Sequence, residues 1–258
     1  MTADLRAAFH AREPVCGSWI SLADPAVAEA TASLDYDFLL IDTEHAPHSV
    51  ETVTDLVRGV DAAPGDTAPF VRAAWNDPVR IKRLLDVGVS GIMVPMLESR
   101  ADAEAFVSAT RYPPEGERGI AASRAAQYGL DFEEYVARAN DELVTIGQIE
   151  TRAGLDAVEE IATVSGLDAL FIGPADLSGA LSVFGEWESD ELHEAMESVL
   201  STAHAHDVPV GTLASTNDQI DNWLSLGFDY LIAGIDVSHM LAGSVAAKER
   251  FDNAMAER

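Results

Sequence analysis

Lysine is nearly missing from this chain of 258 residues: Lys82 and Lys248 are the only two. Basic residues number 16 in all against 44 acidic ones, a formal net charge of −28. Such a surface repels nucleic acid and anionic membrane, so neither is expected as a partner. Cysteine is as scarce. Cys16 stands alone, which excludes an intrachain disulfide framework and fits a reducing cytoplasm. No apolar run is long enough to span a bilayer. The segment from Met1 to His10 mixes acid and base with no apolar signal segment, so a cytoplasmic protein is expected.

What the chain does have is apolar content, 48% of its residues, enough for a large core in one domain. Its acids are spread along the sequence and its mean hydropathy is +0.05, so the charge reads as a solvated surface, not as disorder. A halophile's cytoplasm, where salt screens self-repulsion, is the natural setting for it. An ordinary acidic enzyme is the plainer alternative.

Strand-like runs recur along the whole chain. They are Gly17–Leu22, Phe38–Asp42, Pro69–Ala74, Gly91–Pro95, Leu143–Glu150, Ala169–Pro174, Pro209–Leu213 and Asp229–Gly234. Helical patterns separate them, with Asp24-Pro25 and Asp77-Pro78 supplying an N-cap acid followed by proline at the first helical position. Eight strand–helix units predict an α/β fold, a (β/α)8 TIM barrel forming a single domain over 1–258. A doubly wound open sheet is the alternative, but no GxGxxG or GxxxxGK[ST] follows any strand. The irregular segment Tyr112–Gly129 is long for a compact domain, and loops of that kind are more often functional than not.

In such a barrel the chemistry sits at the carboxyl ends of the strands. The polar residues predicted there are Asp42, Glu44 and His45 after the second strand, Arg72 on the third, Gln148 and Glu150 on the fifth, and Asp176 past the sixth. Glu150 and Asp176 are hard oxygen donors on adjacent strands, a pair suited to a divalent cation that keeps open positions. A helix cap for Asp176 and a solvated rim position for Glu150 are the bland readings. Arg72 interrupts an apolar strand and needs an anion or electron-rich oxygen, or else a structural ion pair with a barrel carboxylate. His45 is the only histidine at a predicted strand end; an imidazole there suits a general base, and Asp42 is placed to orient its ring. Neither lysine falls on a strand, which excludes Schiff-base aldol chemistry.

Asp42-Thr43-Glu44-His45-Ala46-Pro47, Arg72 with Trp75-Asn76-Asp77-Pro78, Arg111-Tyr112-Pro113-Pro114 with Arg118-Gly119, Gln148-Ile149-Glu150-Thr151 and Phe171-Ile172-Gly173-Pro174-Ala175-Asp176-Leu177-Ser178 resemble the HpcH/HpaI aldolase family. Within it, the likeness is to the 2,4-dihydroxyhept-2-ene-1,7-dioate and 2-keto-3-deoxy sugar-acid aldolases. That resemblance implies a class II aldolase cleaving a 4-hydroxy-2-oxo acid to pyruvate and an aldehyde through a metal-stabilised enolate. It implies that Glu150 and Asp176 bind Mg²⁺ or Mn²⁺, with Co²⁺ a further candidate. Arg72 would face the enolate oxygen, and His45, paired with Asp42, would take the C4 hydroxyl proton. Gln148 and the turn Pro174-Ala175-Asp176 would bind substrate. It also implies a hexamer, a trimer of dimers, in which the last helix, about 238–258, is exchanged between subunits. The segment Ile120–Gly129 departs from the family pattern, and by the resemblance it borders the aldehyde side. A citryl- or malyl-CoA-type lyase, an oxaloacetate decarboxylase and a non-catalytic 2-oxo acid binder are the competing readings; the acid-rich chain shows no basic patch for CoA phosphates.

Overall fold

The computed structural model describes residues 2–258, with side chains from Leu5 onward. Its strands are β1 (Val15–Ile20), β2 (Phe38–Asp42), β3 (Ala68–Arg72), β4 (Gly91–Val94), β5 (Val144–Ile149), β6 (Ala169–Ile172), β7 (Val210–Ala214) and β8 (Tyr230–Ile235). Each pairs in parallel with its sequence neighbours, and β8 closes onto β1, so the sheet is a complete barrel with helices outside it. The expected (β/α)8 architecture is correct, and the open-sheet alternative is not. Individual strand ends shift by one or two residues, and the helical segment after β5 is divided into two short helices, Arg152–Asp156 and Val158–Ala162.

Side-chain alternation organises the barrel. One set of strand residues, including Leu39, Ile41, Val71, Ile92, Leu170 and Ile172, packs outward beneath the helices. The other set, including Phe38, Leu40, Phe70, Ile146, Phe171 and Tyr230, fills the interior. Large rings fit because glycines face them: a Cβ at Gly17, Gly91 or Gly211 would enter the rings of Phe38, Phe70 and Tyr230. Continuing the interior set in steps of two beyond Leu40, Phe70 and Ile146 reaches Asp42, Arg72 and Gln148, and one step further on β5's strand line Glu150. The topmost interior layer is therefore polar where the layers below are apolar.

The amino-terminal end is closed by an element that periodicity did not announce, the helix Thr2–His10. Its Phe9 inserts among the interior rings, 4.9 Å from Tyr230 and 6.2 Å from Phe70 between centroids. Buried Asp168 anchors it, accepting from Arg6 Nε at 3.0 Å and lying 2.8 Å from His10 Nε2. Burial alone would raise that carboxyl, but the bonds from His10, Arg6 and the Thr145 amide hold it below the usual carboxylate range. No helix among the described residues is long and apolar enough to cross a membrane.

Candidate active site

Strand register sets the first contact. Asp42 and Arg72 are Cα partners at the carboxyl ends of β2 and β3. Arg72 Nε donates to Asp42 Oδ1 and Nη2 to Oδ2, each at 2.9 Å, a bidentate pair inside the barrel mouth. Arg72 Nη1 lies 2.7 Å from Glu44 Oε2, but off the hydrogen-bonding direction, so that contact is ionic. The same Nη1 reaches Gln148 Oε1 at 3.5 Å. Gln148 Nε2 in turn donates to Glu150 Oε2 at 2.9 Å. A continuous polar row thus runs Asp42–Arg72–Gln148–Glu150 across the mouth.

These groups titrate differently although they adjoin. Burial pushes Asp42 up, yet the two bonds and the charge of Arg72, with the Glu44 amide, outweigh it and hold the carboxyl below its ordinary value. Glu44 lacks a directional partner; burial dominates Arg72's opposing charge and raises it. Glu150 is pushed up to about 7, first by burial, then by the negative charges of Glu44 and Asp176, against the Met96 amide. A carboxylate so disfavoured calls for a positive charge beside it.

The donor set suits a divalent cation. Glu150 Oε1 accepts from Met96 N at 2.9 Å, and Oε2 takes the Gln148 bond, which fixes the carboxylate while leaving lone pairs free. Gly173 leaves the space around it: a Cβ there would strike Glu150 Oε2. Asp176 stands exposed at the third residue of the helix Pro174–Leu181, its charge felt by Glu150. That helix is capped by Gly173, so the capping alternative for Asp176 is excluded. No group of three or more His, Cys, Asp or Glu side chains could cage a metal among the described residues. Glu150 and Asp176 both line the cleft as carboxylates with open positions, the kind of pair that hard cations complete with water and ligand oxygens.

A cleft of about 430 Å³ opens above this row, and His45, Gln148, Glu150, Pro174, Ala175 and Asp176 all line it. All the site residues expected from sequence meet there, with one correction. Asp42 does not orient His45: both its oxygens are engaged by Arg72, and the nearest acid to the ring is Glu44, 3.9 Å away. The His45 side chain is 68% exposed and stands free at the mouth.

A second correction concerns the segment Ile120–Gly129. Ala125 N donates to Asp86 O and Arg124 Nη1 to Val87 O, which lie before β4. Within one subunit the segment sits at the amino-terminal end of the barrel, away from the cleft it was expected to border. A larger hollow of about 630 Å³ at that same end is lined by Asp35, Asp37, Asp61 and Asp66 and holds none of the strand-end groups.

Three contributors were not assigned from sequence. Trp19 supports Arg72, whose Cζ lies 4.4 Å from the ring centroid. Glu44 meets Arg72 Nη1 at 2.7 Å, a contact that its position in the sequence does not announce. Met96 holds a left-handed backbone at φ 53, an uncommon conformation for a non-glycine residue, and its amide meets Glu150.

The family model described as HpcH/HpaI aldolase/citrate lyase matches residues 16–242. A 4-hydroxy-2-oxo-heptane-1,7-dioate aldolase of Shigella flexneri is 36% identical over 256 residues, 98% of this chain and 95% of that one. Among solved structures, an HpcH/HpaI aldolase/citrate lyase family protein from Burkholderia cenocepacia J2315 superposes with a TM-score of 0.94 at 34% identity, covering 97% of this chain and 99% of the other. The citrate synthase SbnG superposes at 0.83 with 29% identity, covering 96% and 98%.

Proposed function

The chain belongs to the HpcH/HpaI aldolase/citrate lyase family, and on that footing we propose that it is a class II pyruvate aldolase. It reversibly cleaves the C3–C4 bond of a 4-hydroxy-2-oxo acid, giving pyruvate and an aldehyde. The observation that carries the reading is the Asp42–Arg72–Gln148–Glu150 row, in which Gln148 links an arginine to a raised carboxylate at the cleft floor.

Glu150 and Asp176 would hold a divalent cation, Mg²⁺, Mn²⁺ or Co²⁺, which when bound polarises the 2-oxo acid as a Lewis acid. The substrate carboxylate lies against Pro174 and the amides of Ala175 and Asp176, which have no partner within the first turn of their helix. Arg72 faces the keto oxygen, and its charge favours the negative charge that grows there as C3–C4 breaks. His45 accepts the C4 hydroxyl proton, the C4–O bond becomes the aldehyde carbonyl, and the bonding pair of C3–C4 passes into the pyruvate enolate. Gln148 keeps Glu150 and Arg72 in register. Asp42 acts through Arg72 as a positioning residue.

The test separates the base from the rest of the site. Oxaloacetate decarboxylation shares the enolate but needs no hydroxyl deprotonated. His45→Ala is expected to lower aldol cleavage at least about 1000-fold while decarboxylation stays within about threefold. Equal loss of both activities would contradict the assignment.

The helix Asp236–Ala256 supports a subunit exchange in the assembly. Met240, Leu241, Val245, Phe251 and Met255 are exposed along it, and only Asp236 is buried. Its natural cover is a second copy of the chain, within a hexamer built as a trimer of dimers. The charge of −28 supports operation in concentrated salt.

A further inference from the structure

Arg118 belongs to the long segment Tyr112–Gly129, and it is buried in the chain's own interior, with a side chain only 2% exposed. The backbone pins it there: Glu117 N donates to Ser108 O and Arg118 N to Arg111 O, each at 2.9 Å. Its guanidinium lies over the Tyr112 ring, with Cζ 4.4 Å from the centroid. A guanidinium carries five N–H donors, and burial obliges each to find an acceptor. Among the described residues the side chain has two long bonds, both from Nη2, to Tyr135 Oη at 3.3 Å and Asp86 Oδ1 at 3.4 Å. Nε is buried with no partner at all. An arginine so poorly matched is costly to hold inside a protein unless something else supplies the acceptor.

A hollow of about 150 Å³ adjoins it, between Ser90 before β4 and the helix Phe132–Glu142. Its ionisable lining is Arg118, Tyr135, Arg138 and Glu142. Arg138 is already engaged, with Nε 3.3 Å from Glu142 and Nη2 2.6 Å from Asp131. The charge left to be matched is therefore that of Arg118. A second copy of the chain could meet this group only by entering the hollow, because Arg118 is enclosed by its own subunit. The volume is well below the roughly 300 Å³ at which pockets for organic ligands begin, so an ion with a little water fits and a substrate does not. The Glu142 carboxylate in the lining and the net charge of −28 disfavour a polyvalent anion.

We propose that this hollow is a binding site for a small monovalent anion of chloride size, which accepts from Arg118 and joins the segment Tyr112–Gly129 to the helix Phe132–Glu142. The site is separate from the strand-end cleft and does not depend on the aldolase reading.

Crystals of the full chain grown in KBr locate the ion by anomalous scattering of bromide, and the excess chloride NMR linewidth measures binding in KCl. The expected result is a bromide peak within hydrogen-bonding distance of Arg118. An excess linewidth that Arg118→Gln lowers at least about fivefold, and Arg138→Gln about twofold, should accompany it. If Arg118→Gln does not fold, the bromide map of the parent protein and the half-exposed Arg138→Gln decide the matter. Water alone in the hollow, or a side chain of a second copy seated in it, overturns the proposal. A linewidth that neither substitution changes overturns it as well.

Discussion

Arg72 and Asp42 meet through two parallel hydrogen bonds of 2.9 Å, formed between residues that are register partners on adjacent strands. The pair aims the guanidinium across the mouth towards Gln148, with the Trp19 ring beneath it. Asp42 is therefore the residue through which β2 and β3 fix the position of the site's arginine.

Removing that carboxylate leaves a buried arginine with an off-angle contact to Glu44 and an aromatic face. Asp42→Ala is expected to cost about 3 kcal/mol of stability, read as a urea midpoint. A loss of about 100-fold in kcat/KM should accompany it, while Mg²⁺ affinity stays within about twofold. Unchanged kcat/KM would show that Arg72 needs no partner on β2.

Glu150 sets a pH dependence whose sign follows from its shift to about 7 from an ordinary 4.5. Below the ordinary value the proton is bound whether or not the chain is folded. Between the two values the folded protein keeps a proton that the unfolded chain has released, so stability falls as pH rises. By pH 8 the metal-free protein has lost about 3 kcal/mol relative to the acid side. A divalent cation needs the ionised carboxylate, so its apparent affinity falls about tenfold for each pH unit below 7. Urea midpoints of metal-free protein at pH 5.5 and 8, with Mg²⁺ titrations at both, check this. Midpoints and affinities independent of pH would contradict it, and Glu150→Gln should flatten the Glu150 contribution.

The exposed apolar face of the helix Asp236–Ala256 gives an assembly prediction. Phe251→Glu with Met255→Glu should lower the mass measured by light scattering in molar KCl while the barrel stays folded by circular dichroism. A parent protein that is monomeric in the same salt would remove the exchanged-helix proposal.

Much of the site was legible in the sequence because a strand has period two. Phe38, Leu40 and Asp42 share one face, as do Ile146, Gln148 and Glu150, so an apolar stripe ending in a polar residue marks the mouth. What could not be read lies in tertiary placement. Trp19 within an apolar strand reads as core and gives no sign that an arginine will lie over it. Met96 carries no turn signature, yet its left-handed backbone presents the amide that Glu150 accepts. Asp42 and His45 lie three residues apart, which suggested a pair, but the register of β2 with β3 gives Asp42 to Arg72. Phe9 closes the barrel through contacts with Phe70 and Tyr230 that lie far away in sequence. The Ile120–Gly129 segment likewise follows its contacts with Asp86 and Val87, not its motif.

Metal-dependent cleavage of a 4-hydroxy-2-oxo acid is proposed at the floor formed by Arg72, Gln148 and Glu150. Pyruvate release from such acids in molar KCl, with and without EDTA, tests it most directly. Release that EDTA stops and that Mg²⁺ or Mn²⁺ restores is the expected result. Release indifferent to EDTA would contradict the role given to Glu150 and Asp176, and no release from any of these acids would contradict the aldolase itself.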